Sequence, residues 1–196
     1  MNPIFDERPV YILGGGASLR DFDWSRLYRR QCIAVNTAFR MVPWANVLFF
    51  SDNRFFELHR DPGGQHFWRF KGEHILTTAP ACRDMTGRIQ YIDPATLTAK
   101  VGRRKFCAEA CNSGVQAIIL ARQLGARQIV LLGFDNVPGH WHDGTHLAHP
   151  RRTAPEAYRR YGKDMERLAK LGLPILNANP SSALTGFPVI PRKDAF

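Results

Sequence analysis

The sequence predicts one α/β domain over residues 1–196: a doubly wound, mainly parallel sheet of about six strands with helices on both faces. Three observations carry this expectation. Short apolar, β-branched runs alternate with stretches of helical spacing, as in a series of βα units. A glycine turn, Gly14-Gly15-Gly16, directly follows the first apolar run. Polar residues (Asn36, Ser51 with Asp52, Asn112 with Ser113) stop strands or start helices, where an open parallel sheet gathers its ligand-binding groups. At 196 residues the chain supports one sizeable core but not two ordinary domains with a linker.

The elements follow in order. Val10–Leu13 is the first strand and runs into the turn Gly14–Ser18. A short helix around Trp24–Tyr28 precedes strand two, Cys32–Val35, which stops at Asn36. Strand three, Val47–Phe50, stops at Ser51-Asp52-Asn53 before a helix through Phe55–His59. Asp61-Pro62-Gly63-Gly64 breaks the chain, and His66–Lys71 reads as an insertion or edge element. His74–Thr78 is the next strand, Ile89–Ile92 is a short candidate strand, and Pro94–Lys105 has no assignable pattern.

Ser113 is a good N-cap for the following helix, where Val115, Ile118, Ile119 and Arg122 share a face and Gly125 sits at C′. Ile129–Gly133 is continuously apolar, as a central strand covered on both faces should be. The loop 134–153 carries four of the seven histidines. A helix over Pro155–Leu171, with a stripe of Tyr158, Tyr161, Met165 and Leu168, leads to a last strand at Pro174–Asn177.

The cysteines (Cys32, Cys82, Cys107, Cys111) form no C-x-x-C pair. Cys107 and Cys111, four apart, have the spacing of one helical face, but zinc spacings are not matched, so buried free thiols are expected. No run approaches the roughly 18 apolar residues that span a bilayer. The first residues lack a basic segment followed by an apolar one, so a cytoplasmic protein is expected. The net charge is +10, clustered at Arg26/Arg29/Arg30, Lys100/Arg103/Arg104/Lys105, Arg151/Arg152 and Arg159/Arg160. Such a field attracts anions: nucleotides, nucleic acid or an anionic surface.

The turn Gly14–Ser18 sits between strand and helix, where glycines let backbone approach a phosphate and a helix N-terminus supplies N–H donors. Leu19 occupies the place of the third dinucleotide glycine and Asn36 that of the ribose-gripping acid, which argues against NAD. A G-x-x-x-x-G-K-[ST] motif is absent. The competing reading of the glycines is a tight structural turn. Asn36, Ser51, Asn112 and Ser113 can read ribose or base edges, and Asp52 can act as base or bind Mg²⁺; capping is the alternative for all of them. His140, His142, His146 and His149 suit general-base work, phosphate contact or a metal held by His140 and His142, with a solvated loop as the plain alternative. His66–Lys71 interleaves aromatics with positive charge, as base-stacking surfaces do; an amphipathic edge accounts for it equally.

The segments Gly14–Leu19 with Asp21–Leu27, Val35-Asn36, Phe55-Phe56-Glu57, Asn112–Val115, Leu132–Asp135 and Asn179–Leu184 occur in an order that resembles the small bacterial sialyltransferases. The order is similar also to the motility accessory factors, the archaeal 6-hydroxymethylpterin diphosphokinases and short phage-encoded proteins with a His-Trp-His loop. The sialyltransferase resemblance implies a Rossmann-like transferase with a CMP-sugar-like donor. Gly15, Gly16, Asn36, Ser113 and Gly114 would contact that donor, alongside Gly14, Ser18, Ser51 and Asn112. A loop histidine would be the general base: His149 first by position, then His146 and His142. The phosphate-binding tyrosines of that family's loop have no counterpart in the loop here, which leaves their role to His140, His142 or Arg151. Ser51-Asp52 is nearer the diphosphokinase pattern, which implies ATP with Mg²⁺ at Asp52 as the alternative. A non-catalytic nucleic-acid binder on the same fold is the third reading.

Overall fold

The computed structural model describes residues 2–60, 67, 69–143 and 154–196. Seven parallel strands form one sheet, where about six were expected: β1 (Val10–Leu13), β2 (Gln31–Val35), β3 (Val47–Phe50), β4 (His74–Thr77), β5 (Ile89–Tyr91), β8 (Ile129–Leu132) and β9 (Ile175–Asn177). The seventh is β5, three residues long at the sheet edge. A separate antiparallel pair, β6 (Thr98–Val101) and β7 (Arg104–Cys107), fills the stretch that had no assignable pattern. It turns at Gly102, whose φ of +60° suits glycine. The α-helices among the described residues are α1 (Asn53–His59), α2 (Ser113–Gln123) and α3 (Pro155–Leu168), the last ending three residues earlier than expected.

The strand order is β5-β4-β3-β2-β1-β8-β9. The chain winds outward from β1 to β5, then returns to the other side of β1 at β8. The order therefore switches between β1 and β8, where Val10–Leu13 pairs with Ile129–Leu132 in register.

Alternation along the strands divides the interior into two cores. Val10, Ile12, Ile33, Val35, Ile129 and Leu131 face α2 and α3, which contribute Val115, Ile118, Ile119, Met165 and Leu168. Tyr11, Leu13, Cys32, Ala34, Val130 and Leu132 face the other side, with Phe55 and Phe56 of α1. On that second side the crossovers β1–β2 and β2–β3 are built from 3₁₀ turns at Ala17–Leu19, Trp24–Leu27 and Asn36–Arg40, the second of which stands where a short helix was expected around Trp24–Tyr28.

Helix α2 is buried along most of its length, not on one stripe. The β6–β7 hairpin packs beside it through Leu97, Ala99 and Phe106, and the Gln123 amide donates to the carbonyls of Thr96 (2.8 Å) and Thr98 (3.1 Å). Asn112 is the N-cap of α2, accepting from Val115 N at 3.0 Å; Ser113 is the first helical residue, not the cap. Gly125 follows the C-cap with φ +100°, as C′ requires. Cys107 ends a strand while Cys111 lies in a turn, so no helical face joins them. All four cysteines are free thiols, but only Cys32 and Cys82 are buried as expected: Cys111 is half-buried and Cys107, at the hairpin's last position, is exposed. Phe67 and Phe70 are buried in the second core, so the described aromatics of the 66–71 segment point inward rather than forming a stacking surface; His66 and Trp68 lie outside the described residues. No described helix is long and apolar enough to cross a membrane.

Candidate functional site

The C-terminal ends of β1, β2, β3 and β8 open into a cleft of about 390 Å³. Gly14, Gly15, Gly16, Asn36, Ser51, Asp52, Asn112, Ser113 and Gly114 all line it. Only Ser18 of the sequence-selected donor residues does not.

The glycine turn is sewn to the segment after β8. Gly14 N donates to Leu132 O at 2.8 Å and Gly16 N to Gly133 O at 2.9 Å, while Trp141 N donates to Gly15 O at 3.1 Å. A Cβ on Gly14 would lie 2.6 Å from Gly133 O, and one on Gly16 would run into the Asp135 carboxylate. The glycines are thus required by close backbone packing, and two of their N–H groups are committed inside the protein. Ser18 turns inward for a related reason: its N–H and hydroxyl donate to Asp135 at 2.8 and 2.6 Å. Asn179 Nδ2 donates to the same buried carboxylate at 2.7 Å. Asp135 was not singled out in the sequence; its signal was its place immediately after the last central strand, in the segment Leu132–Asp135.

Anion-binding donors are supplied by α2. Its cap takes the N–H of Val115, and the N–H groups of Ser113 and Gly114 begin the helix with no preceding turn to accept them. They meet the cleft at the positive end of the helix dipole. The Ser113 hydroxyl lies 2.6 Å from that of Ser51, linking the end of β3 to the start of α2. Gly114 is held close by Phe134, whose ring a Cβ there would meet at 2.9 Å.

Asn36 has φ +52°, a left-handed conformation that asparagine tolerates better than most residues. Its Oδ1 is buried with no hydrogen-bond partner among the described residues, an acceptor at the cleft wall that awaits a donor. Asp52 caps α1, accepting from Arg54 N at 2.7 Å, so the capping role is realised there. Among the described residues no three His, Cys, Asp or Glu side chains gather as a metal site, and this holds for Asp52 and for the His140/His142 pair alike.

Of the loop histidines, His146 and His149 lie outside the described residues, as do Arg151 and Arg152. His142 is buried, stacked on His140 (centroids 5.2 Å, 5° between planes) and edge-on to Trp141, and it does not line the cleft. His140 does. Its backbone N–H donates to Asp143 at 2.8 Å, and its ring Nδ1 lies 3.1 Å from Gly15 O. A carbonyl oxygen only accepts, so this contact places a proton on Nδ1 and leaves Nε2 as the ring's other nitrogen. Tyr158, Tyr161 and Met165 of α3 line the cleft as well. The loop lacks tyrosines, whereas the helical stripe of α3 brings two to the cleft.

No protein-family model matches the chain, and no curated protein does. Solved structures are similar in fold. The sialyltransferase CST-II in complex with a trisaccharide acceptor and CMP is 18% identical, with a TM-score of 0.61 over 93% of this chain and 86% of that one. CstII from Campylobacter jejuni with the substrate analogue CMP-3FNeuAc gives the same figures. The complex with cytidine-5'-monophosphate is 18% identical with a TM-score of 0.56, covering 92% and 84%. At these identities the likeness establishes a shared α/β fold.

Proposed function

We propose that the protein is a glycosyltransferase that uses a nucleotide-activated sugar of the CMP-sugar class. The observation that carries this reading is the convergence, in one cleft at the β1/β8 switch point, of Gly15, Gly16, Asn36, Ser113 and Gly114. These are the positions that the sialyltransferase resemblance assigns to the donor. The solved structures named above as similar in fold are sialyltransferases, two of them described with CMP itself.

In this reading the donor phosphate lies against the N-terminus of α2, where Ser113 and Gly114 supply N–H donors. Asn36 Oδ1 accepts from the ribose or base, ending its isolation. The acceptor hydroxyl attacks the anomeric carbon as the bond to the phosphate oxygen breaks, and its proton passes to a histidine of the 134–153 loop. His149, His146 and His142 are the sequence candidates; His140 joins them because its ring reaches the cleft. The Tyr158 and Tyr161 phenols of the same cleft serve to stabilise the charge of the departing phosphate. Asp52 is engaged as a helix cap, and no observation favours ATP with Mg²⁺ at that residue.

Calorimetric titration with CMP, ATP with Mg²⁺, and NAD tests the reading. CMP binds and the other two do not; NAD binding tighter than CMP overturns it. A histidine base acts only in its neutral form, so turnover falls as the pH is lowered. Alanine at the true base lowers turnover by roughly 10²–10⁴-fold with CMP affinity nearly unchanged.

A further inference from the structure

At the opposite end of the sheet, the N-terminal ends of β1, β2 and β3 meet around a second cavity of about 250 Å³. Four-residue strands at roughly 3.3 Å per residue separate it from the cleft by about 13 Å. Its walls include Arg8, Tyr28, Arg29, Arg30, Trp44 and Asn46.

Tyr28 is 62% exposed, more than any other exposed large hydrophobic residue described, and lies edge-on to Trp44 at 6.0 Å. The Arg29 guanidinium stands 5.7 Å from the Tyr28 ring centroid. Arg29 has φ +62°, a left-handed conformation uncommon for arginine and frequent where a chain sacrifices local comfort to place a side chain. The charges at the cavity are unbalanced. Arg8 is held by Asp6 through Nη2–Oδ2 at 2.7 Å, which lowers the Asp6 pKa. Among the described residues, Arg29 and Arg30 have no carboxylate partner. Asn46 Oδ1 accepts from Cys32 N at 2.8 Å, leaving its NH₂ as the remaining donor.

We infer that this cavity is a second ligand site, for an acidic saccharide. A sugar ring lies against Tyr28 and Trp44, its carboxylate is taken by the Arg29 and Arg30 guanidiniums, and a hydroxyl accepts from Asn46. A carboxylate fits paired guanidinium donors in both geometry and charge. Single-stranded nucleic acid needs a groove that follows successive phosphates beside stacked bases, whereas two unpaired guanidiniums in one hollow suit a single acid group. The choice of a saccharide rests on the sugar-transferring reading above; the anion-and-ring chemistry of the cavity does not.

The test uses the full chain, with tryptophan fluorescence and saturation-transfer NMR. The probes are sialyllactose, neutral lactose, a ten-residue oligothymidylate and inorganic phosphate, each with the cleft filled by CMP and without it. Sialyllactose binds in both conditions and lactose does not. Arg29→Gly, which suits the left-handed backbone, and Tyr28→Ala, at an exposed position, each weaken sialyllactose about tenfold or more, and CMP affinity stays the same. Lactose binding as well as sialyllactose, or sialyllactose binding unaffected by both variants or absent altogether, overturns the site. Tighter oligothymidylate binding lost in the same variants makes it a nucleic-acid site instead. If phosphate displaces sialyllactose completely and binds as well, the site takes an adventitious ion only and the proposal fails. Sialyllactose bound here with no CMP binding overturns the transferase reading and leaves this site standing; the reverse overturns this site alone.

Discussion

Asp135 directs its carboxylate inward to Ser18 and Asn179, and so ties the glycine turn, the end of β8 and the segment after β9 into one unit. Asn in its place presents an NH₂ to groups that are themselves donors. Asp135→Asn is expected to cost about 1–3 kcal/mol, read as a lower urea midpoint at unchanged slope. An unchanged midpoint would show that the three hydrogen bonds do not hold the turn. Gly16→Val acts at the same place, because its side chain enters the space of that carboxylate. It therefore lowers stability as well as nucleotide affinity, and comparing CMP binding with melting temperature separates the two effects. The thiols give a second residue-level expectation. Burial pushes the pKa of Cys32 up to about 12, that of Cys82 up to about 11 and that of Cys111 up to about 12, whereas Cys107 is exposed. Iodoacetamide at pH 8, where the thiolate is the nucleophile, should label Cys107 first and the other three far more slowly. Equal labelling of two or more sites by mass spectrometry contradicts this.

Helix α2 is the element on which the nucleotide reading depends. Asn112→Ala removes its cap and should cost ~1 kcal/mol, a fall of about 2–4 °C in Tm for a chain of this size, with weaker CMP binding. Ser113→Ala keeps the cap and loses the Ser51 contact, so it should lower CMP affinity with a smaller change in Tm. A larger stability loss in Ser113→Ala than in Asn112→Ala would reverse the capping assignment. Elements of this kind were legible wherever periodicity was strong: α2, the central strands β1, β2, β3 and β8, and the turn at Gly125 all stand where the apolar pattern put them. The cap was misplaced by one residue because Asn112 and Ser113 are both good capping types, and only backbone dihedrals separate them. The β6–β7 hairpin was not legible. Its outer positions Lys100, Arg104 and Lys105 are exposed, and its only buried cross-strand pair, Ala99 with Phe106, is too short an apolar pattern to mark two strands.

For the whole molecule, the +10 charge sets long-range behaviour. Lys100, Arg103, Arg104 and Lys105 are exposed on the β6–β7 hairpin, and Arg159 and Arg160 on α3. Weak binding to a random DNA duplex is expected, falling steeply with salt as screened phosphate contacts do. Filter-binding at rising salt checks this, and tight association surviving about 0.3 M salt contradicts it.

By itself the sequence determined the parallel α/β class, the place of the cleft and most of the groups around it. Those properties follow from local periodicity and from the rule that an open parallel sheet binds at its carboxyl edge. Tertiary structure alone decided what each polar group does there. Ser18 faces Asp135, Asp52 caps α1, His142 is buried while His140 reaches the cleft, and the helical stripe of α3 delivers Tyr158 and Tyr161 to its wall. A side chain's partner is fixed by contacts that reach 117 residues along the chain, as between Ser18 and Asp135, and no local pattern encodes a contact at that separation.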